Sequence, residues 1–567
     1  MEKTNNDRHA HPRRSFLKSM TLGCGGMLAC PALAISAADR EVQLSAEHRK
    51  AVDRRRRIVV QYDCHGQMGL DIDRWIDYRF RYADQPGSQI DALWWDLGRL
   101  GNVFYPSKLL NLFDSHEGFK KWQNVGIDLV ERLVKETKRR NLECFWHHRI
   151  SEVDLRRDGK GAAWKDSPDP LKQAHPDWTL KCWWRHGLWD FSVADVRQYT
   201  VQSLREVAER YDFDGIQLDF ARHVPCLPLG RQWELRHHVT DLVRNVRHML
   251  LEVEHKRGRP LLLAAKVPRN LKGCRIDGFD VEVWAAENLV DILTLGSRSM
   301  DIDLAAFRRI TAGRNIKLQP CFDDHHTTDG YRYAPIEVLR GVFANWWQQG
   351  ADSVCTFNWS NAPPEVQRQL GDDYLPGPQA HQQAYQEVGS LDTMRFKDKV
   401  FPVERRGGYP WAEGYFNRND DAPLPATLSR DGGEPLAIRV RIGDDPRSCE
   451  DQLKSVLLRT VWFGASDDAI VEAALNGVPL RLSSRDPDWK DAQIFSPKPQ
   501  PASGGSGQYK VNPRQRLLRL DFAIEPRACR VGGNVVEVRL AAQTGPPIAS
   551  QIALEKLEVY VQYTQPH

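Results

Sequence analysis

The sequence predicts an α/β chain in which a (β/α)8 TIM barrel precedes an all-β sandwich. Three observations predict it. From about residue 58 to about residue 360, short apolar runs alternate with amphipathic helical patterns, as in β/α units on a parallel sheet. The runs number eight, which suits a closed barrel better than a doubly wound sheet, and no Gly-rich dinucleotide fingerprint follows any of them. Beyond about residue 395 the pattern turns to Gly/Pro/Asp-rich turns and short alternating strands.

In chain order the apolar runs are Ile58 to Asp63, Ala92 to Asp96, Leu142 to His147, Gly215 to Asp219, Leu261 to Lys266, Asp291 to Gly296, Ile316 to Cys321 and Ser353 to Asn358. The helical patterns between them include Phe119 to Arg139, Val193 to Tyr211, Gln232 to Lys256 and Pro335 to Gln349. The sandwich strands are expected at Leu436 to Ile442, Ser455 to Trp462, Ile470 to Leu475, Leu517 to Ala523, Asn534 to Ala541 and Leu554 to Tyr563. A chain of 567 residues exceeds one ordinary core, so the expected division is a leader over 1–38, a catalytic barrel over 39–395 and an accessory sandwich over 396–567.

The leader contains Pro12-Arg13-Arg14-Ser15-Phe16-Leu17-Lys18 ahead of a Gly/Ala-rich apolar stretch. It resembles a twin-arginine export signal, with Pro12 where that pattern usually has Ser. Thr21 to Ala34 is far shorter than the ~20 residues that span a bilayer, so no membrane span is expected after processing. Ala32-Leu33-Ala34 and Ser36-Ala37-Ala38 offer small residues for cleavage, and Cys30 leaves lipid anchoring open. The resemblance implies a bacterial protein that meets the twin-arginine machinery, crosses the membrane folded and works in the periplasm or outside the cell.

Composition narrows the partners. The formal net charge is +4, and basic residues are spread except at Arg54-Arg55-Arg56-Arg57, which reads as a solvated entry to the first strand, so nucleic acid is not the expected partner. Without Cys24 and Cys30, nine cysteines of the eleven remain, scattered singly, which argues for buried small residues rather than a disulfide framework or structural zinc. No cofactor motif is present, and none is expected.

The residues that close the eight runs lie where barrel enzymes build their sites. They are Asp63, Asp96, His147-His148-Arg149, Asp219 followed by Arg222, Lys266, Arg298, Gln319 with Asp323-Asp324, and Asn358-Trp359. Such a ring of carboxylates, amides, guanidiniums and indoles suits a sugar, whose hydroxyls need paired donors and acceptors and whose acetal needs two carboxyl groups for cleavage. The segment 149–191 adds Trp164, Trp178, Trp183, Trp184 and Trp189. Asp219, with cationic neighbours, should stay ionised and serve as nucleophile. Asp323 or Asp324 is the expected general acid, with Glu152 next; Asp63 and Asp96 compete for that role or bind hydroxyls. Substrate contacts are expected from Asp63, Asp96, His147, His148, Arg149, Gln217, Arg222, Lys266, Arg298, Gln319, Asn358 and Trp359. The pairs His147-His148 and His325-His326 could ligate a metal, but the first strand ends Asp63-Cys64-His65 rather than His-x-His, so sugar contacts or pKa tuning are preferred and no metal is assigned.

Asp214-Gly215-Ile216 with Asp219, together with Gly278-Phe279-Asp280, Trp284 and Asn288-Leu289-Val290-Asp291, resembles the glycosyl-hydrolase-like family ten domain of bacterial surface proteins. The resemblance spans about residues 58 to 360. It implies an exported glycoside hydrolase on a barrel, and the strand-four nucleophile of α-galactosidase-like and α-amylase-like barrels carries over to Asp219 alone. The pattern of Glu at the ends of strands four and seven is not matched, so the resemblance does not identify the acid/base. Two other readings share these residues: a barrel that binds carbohydrate without turnover, and a metal-dependent hydrolase or lyase using the His/Asp cluster. Arg149, Arg222, Arg298 and Lys266 suit an anionic sugar, a uronate or sulfate ester.

Overall fold

The computed structural model describes residues 41–63, 68, 71–113, 117–151, 169–182, 186–296, 298–323, 330–331, 333–357, 359, 377–406, 421–428, 433–491, 515–543 and 551–564. Eight parallel strands close on themselves: β1 Ile58–Asp63, β2 Ile90–Arg99, β3 Glu143–Arg149, β4 Gly215–Asp219, β5 Leu262–Val267, β6 Ile292–Leu295, β7 Lys317–Phe322 and β8 Val354–Phe357. Each pairs with its sequence neighbours, and β1 pairs with both β2 and β8, which removes every free edge of the ring.

Helices fill the connections for the reason the periodicity suggests. In Leu129–Arg139, Val130, Leu133, Val134 and Thr137 are buried at helical spacing, while Glu131, Lys135 and Arg139 lie on the other side. The pattern expected as one helix from Phe119 to Arg139 is two, Glu117–Asn124 and Leu129–Arg139. Gly126 takes a φ of 80° between them, and Asp128 restarts the helix by accepting the Val130 and Glu131 amides.

The floor of the barrel differs from the expected solvated tetra-arginine. Arg56 is buried, with Nε and Nη2 bonded to Glu143 at 2.8 and 2.6 Å and further bonds to the Ala51, Val52 and Arg54 carbonyls. The helix Ala46–Val52 is fastened nearby. Its buried His48 reaches Glu254 at 2.7 Å and Asp291 at 3.0 Å, and Arg247 reaches the same Asp291 at 2.8 Å. Burial works against the imidazolium, but the two carboxylates prevail and raise the His48 pKa to about 9.

Beyond the barrel lie antiparallel sheets, as the sandwich expectation required. One contains, in order, Lys399–Pro402, Ile552–Tyr563, Leu453–Phe463, Leu517–Ala523 and Arg481–Trp489, with Ala426–Leu428 also on Ile552–Tyr563. The other contains Leu436–Ile442, Gly532–Ala542, Ile470–Leu475 and Val478–Pro479. The barrel helix Ile336–Gln348 packs on both: Asn345 donates to the Arg441 carbonyl at 3.2 Å, and a Cβ on Gly341 would stand 1.9 Å from the Val400 carbonyl oxygen. Of the eight described cysteines, six are buried and two partly buried, and none forms a disulfide with another of them.

Candidate active site

Side chains alternate across each strand, and bonds between non-adjacent strands can only cross the barrel interior. One such chain runs the width of the barrel. Lys266 Nζ donates to Gln61 Oε1 at 3.1 Å, Gln61 Nε2 to Gln217 Oε1 at 2.6 Å, and Gln217 Nε2 to Thr294 Oγ1 at 2.8 Å. Thr294 Oγ1 then donates to Gln319 Oε1 at 3.0 Å, and Gln319 Nε2 to Ser353 Oγ at 3.0 Å. Gln217 and Gln319 therefore belong to this interior relay. The apolar filling around it includes Trp94 stacked on Phe145, centroids 4.4 Å apart.

At the C-terminal ends of the strands, Asp219 is fully buried. Its Oδ1 accepts the Ala221 amide at 2.9 Å, and its Oδ2 lies 3.1 Å from His147 Nε2 and 4.0 Å from Lys266 Nζ. Burial opposes its charge, but the Lys266 ammonium and the His147 imidazole outweigh burial and hold the carboxyl below the usual carboxylate range. His147 is pushed the other way: burial lowers its pKa despite Asp219, so the ring is neutral at pH 7. Neutral His147 stacks on Phe357 at 5.7 Å and 7°, and Lys266 Nζ sits 4.0 Å from the same ring centroid. Arg222 and Arg149 approach that ring at 5.7 and 6.0 Å, which makes Phe357 the apolar hub of a cationic cluster.

A second pair of carboxyls faces Arg149, whose register partner is Asp219. Arg149 Nη2 lies 2.6 Å from Asp96 and also contacts Asp63, and these two aspartates are register partners on β1 and β2. Asp96 is buried, and it shares one guanidinium with Asp63. Burial is the chief cause of a pKa well above the ordinary carboxyl value, with the Asp63 charge adding to it against Arg149. The mouth thus contains one carboxyl held below the ordinary range and one pushed above it.

The other expected residues are placed as follows. Asp323 is fully buried, two residues beyond Cys321 and so on the interior side of the end of β7. His148 faces away from His147, toward the helices; its Nδ1 accepts the Trp146 indole at 3.3 Å, and burial with the neighbouring His147 lowers its pKa to about 3. Trp359 is buried, stacks on His381 at 4.7 Å and donates to the Phe322 carbonyl at 3.0 Å, so its exposed edge is small. Arg222 and Arg298 are buried near the strand ends. Of the aromatic loop, Trp189 donates to the Leu100 carbonyl at 3.2 Å and Trp178 stacks on His175 at 4.0 Å. Glu152, Asp324, Asn358, the pair His325-His326, and Trp164, Trp183 and Trp184 lie outside the described residues. Sequence reasoning gave no role to Phe357, Gln61 or Thr294, although Gln61 and Phe357 stand at strand ends. Their signal was inward parity on strands whose last inward residue had already been chosen.

Residues 83–226 match the family Glycosyl hydrolase-like 10. The matched segment carries β2, β3 and β4, and with them Asp96, His147, Arg149, Asp219 and Arg222. No curated protein matches the chain. Among solved structures, α-L-fucosidase isoenzyme 2 from Paenibacillus thiaminolyticus is similar at 13% identity over 61% of this chain, with a TM-score of 0.37; the match spans 51% of that enzyme's length. The catalytic domain of chitinase B from Arthrobacter TAD20 is similar at 11% identity over 61% of this chain and 96% of its own, with a TM-score of 0.35. A chitinase from Chromobacterium violaceum is similar at 14% identity over 53% of this chain and 92% of its own, with a TM-score of 0.32.

Proposed function

We propose that this protein is an exported glycoside hydrolase in which Asp219 attacks or stabilises the anomeric carbon. The observation that carries the reading is the state of Asp219: a carboxyl fully buried at the mouth of a closed barrel, yet held ionised by Lys266 and His147. An ionised carboxylate in a site shielded from water suits an oxocarbenium-like transition state, because the low dielectric strengthens its attraction for the developing positive charge. The departing oxygen needs a proton. Asp96, whose surroundings favour its protonated form, supports that role best, and Asp323 on the inward side of β7 is the second candidate.

Recognition of a uronate or sulfate would draw on the guanidiniums of Arg149, Arg222 and Arg298 and the Lys266 ammonium, of which Arg149 and Lys266 also contact Asp63, Asp96, Asp219 and Gln61. Strand pairing supports a catalytic barrel over 39–395 and an accessory domain over 396–567 as parts of the same reading. Export by the twin-arginine route is supported by the Arg13-Arg14 pattern alone; no described helix is long and apolar enough to cross a membrane. Replacing Arg13 and Arg14 by Lys should leave the protein in the cytoplasm of a host that otherwise exports it.

The deciding experiment screens the purified protein against neutral and acidic aryl glycosides and oligosaccharides, with Asp219→Asn as control. Turnover by the wild type that falls at least a thousandfold in Asp219→Asn supports the assignment, while turnover that survives in the variant refutes it. On the same substrate, Asp96→Asn and Asp323→Asn separate the donors. Loss of the true donor abolishes the basic limb of the pH profile and spares substrates with activated leaving groups.

A further inference from the structure

We infer that the protein has a second saccharide site, in the cavity where the C-terminal sheet meets the barrel helix Ile336–Gln348. The cavity measures about 340 Å³, enough for one or two sugar rings and within the range of small-molecule sites. Trp489, from the edge strand Arg481–Trp489, lines it together with Tyr560, Tyr331, Arg459, Glu337 and Gln562. These residues come from three strands, one loop and the first turn of one helix, so the lining is assembled by the tertiary fold.

The polar wall is fixed before any ligand arrives. Arg459 pairs with both oxygens of Asp521 at 2.8 and 3.1 Å and donates to the Tyr560 hydroxyl at 3.0 Å. Tyr560 and Tyr331 in turn donate to the two oxygens of Glu558 at 2.8 and 2.9 Å. The Arg459 guanidinium also lies 4.4 Å from the Tyr560 ring centroid and 5.5 Å from that of Trp489. One lining group is left over. Among the described residues Glu337 forms no ion pair.

An unspent carboxylate beside aromatic rings defines the ligand chemistry. An anion would meet the carboxylates of Glu337 and Glu558. An added cation would meet Arg459 and the nearby Lys399 and Lys556. A wholly apolar ligand would strip water from the Glu337 carboxylate without replacing its hydrogen bonds. A neutral sugar offers hydroxyls that donate to Glu337 and C–H faces for the rings of Trp489, Tyr560 and Tyr331. None of its lining residues belongs to the cluster around Asp219, so its role would be to retain glycan rather than to cut it.

The choice of glycans as probes rests on the glycosidase reading, so the test separates the two. Full-length protein carrying Asp219→Asn, labelled with a fluorophore, is applied to an array of neutral and acidic oligosaccharides and compared with the same protein carrying Trp489→Ala or Glu337→Gln in addition. Binding to neutral glycans that weakens at least tenfold in both added variants is the expected result. Glu337→Gln is nearly isosteric and keeps the test open if Trp489→Ala does not fold. Absence of glycan binding, or binding indifferent to both substitutions, overturns the site. If no glycan is ever hydrolysed by the wild type yet Trp489-dependent binding persists, the catalytic reading fails and this one stands.

Discussion

Replacing Lys266 by Met tests what keeps Asp219 charged. The ammonium stands 4.0 Å from Asp219 Oδ2 inside a fully buried cluster. At that separation, and with the effective dielectric of about 20 that suits protein sites, the attraction amounts to about 4 kcal/mol. At 1.36 kcal/mol per pKa unit, its loss should raise the Asp219 pKa by roughly 3 units. Burial, now opposed chiefly by His147, would carry the carboxyl into or above the ordinary range. In a nucleophile this moves the acid limb of the kcat/KM profile upward by the same amount while activity at high pH recovers. Where the substrate is still being sought, the carbon resonance of the Asp219 carboxyl reports the same titration directly. Lys266→Arg is the control that restores charge without the original hydrogen-bond geometry to Gln61. An acid limb and a carboxyl resonance that stay in place in Lys266→Met would refute the claim that Lys266 sets the state of Asp219.

Two further outcomes follow from contacts away from the mouth. The folded pKa of His48, about 9, lies above its unfolded value, so its clamp on Glu254 and Asp291 is fully stabilising below about pH 6.5 and is lost as pH rises through about 9. The span corresponds to about 3 kcal/mol. Urea denaturation at pH 6 and pH 10 should show this loss in the wild type and not in His48→Gln, and equal pH dependence in the two would contradict it. Gly341→Ala places a methyl 1.9 Å from the Val400 carbonyl oxygen, so helix Ile336–Gln348 must move off strand Lys399–Pro402. The expected cost is about 1–3 kcal/mol, read as a lowered unfolding midpoint; an unchanged midpoint would mean that the two elements are not held in contact.

Much of the barrel was legible because its signals are local. Each apolar run became a strand within a few residues of its expected ends, and helices Ala194–Arg210 and Arg236–Arg257 match their amphipathic patterns closely. Gly126 broke the Phe119 to Arg139 pattern because two apolar stripes can stay in phase across a turn that one positive φ allows. Arg481–Trp489 escaped notice since an edge strand tolerates Pro487 and charged residues that a central strand would reject. In the site, alternation alone would have separated His147 from His148. What no local pattern revealed is which inward side chains meet across the barrel: Gln61 finds Gln217, and Arg149 finds both Asp63 and Asp96, only once eight strands close with a particular stagger.

The donor chain from Lys266 to Ser353 has a mechanical meaning as well as an electrostatic one. It ties β5, β1, β4, β6 and β7 to the entry of β8, like spokes set inside a rim. A barrel laced only around its circumference can flatten; one spoked in this way resists ovalisation, since squeezing any diameter stretches a bond. Every donor also points the same way along the chain, so no single amide can turn over without leaving two neighbours mismatched. Substitutions at Gln61, Gln217, Thr294 and Gln319 should therefore be tolerated together or not at all, although no two of these residues are near each other in the sequence.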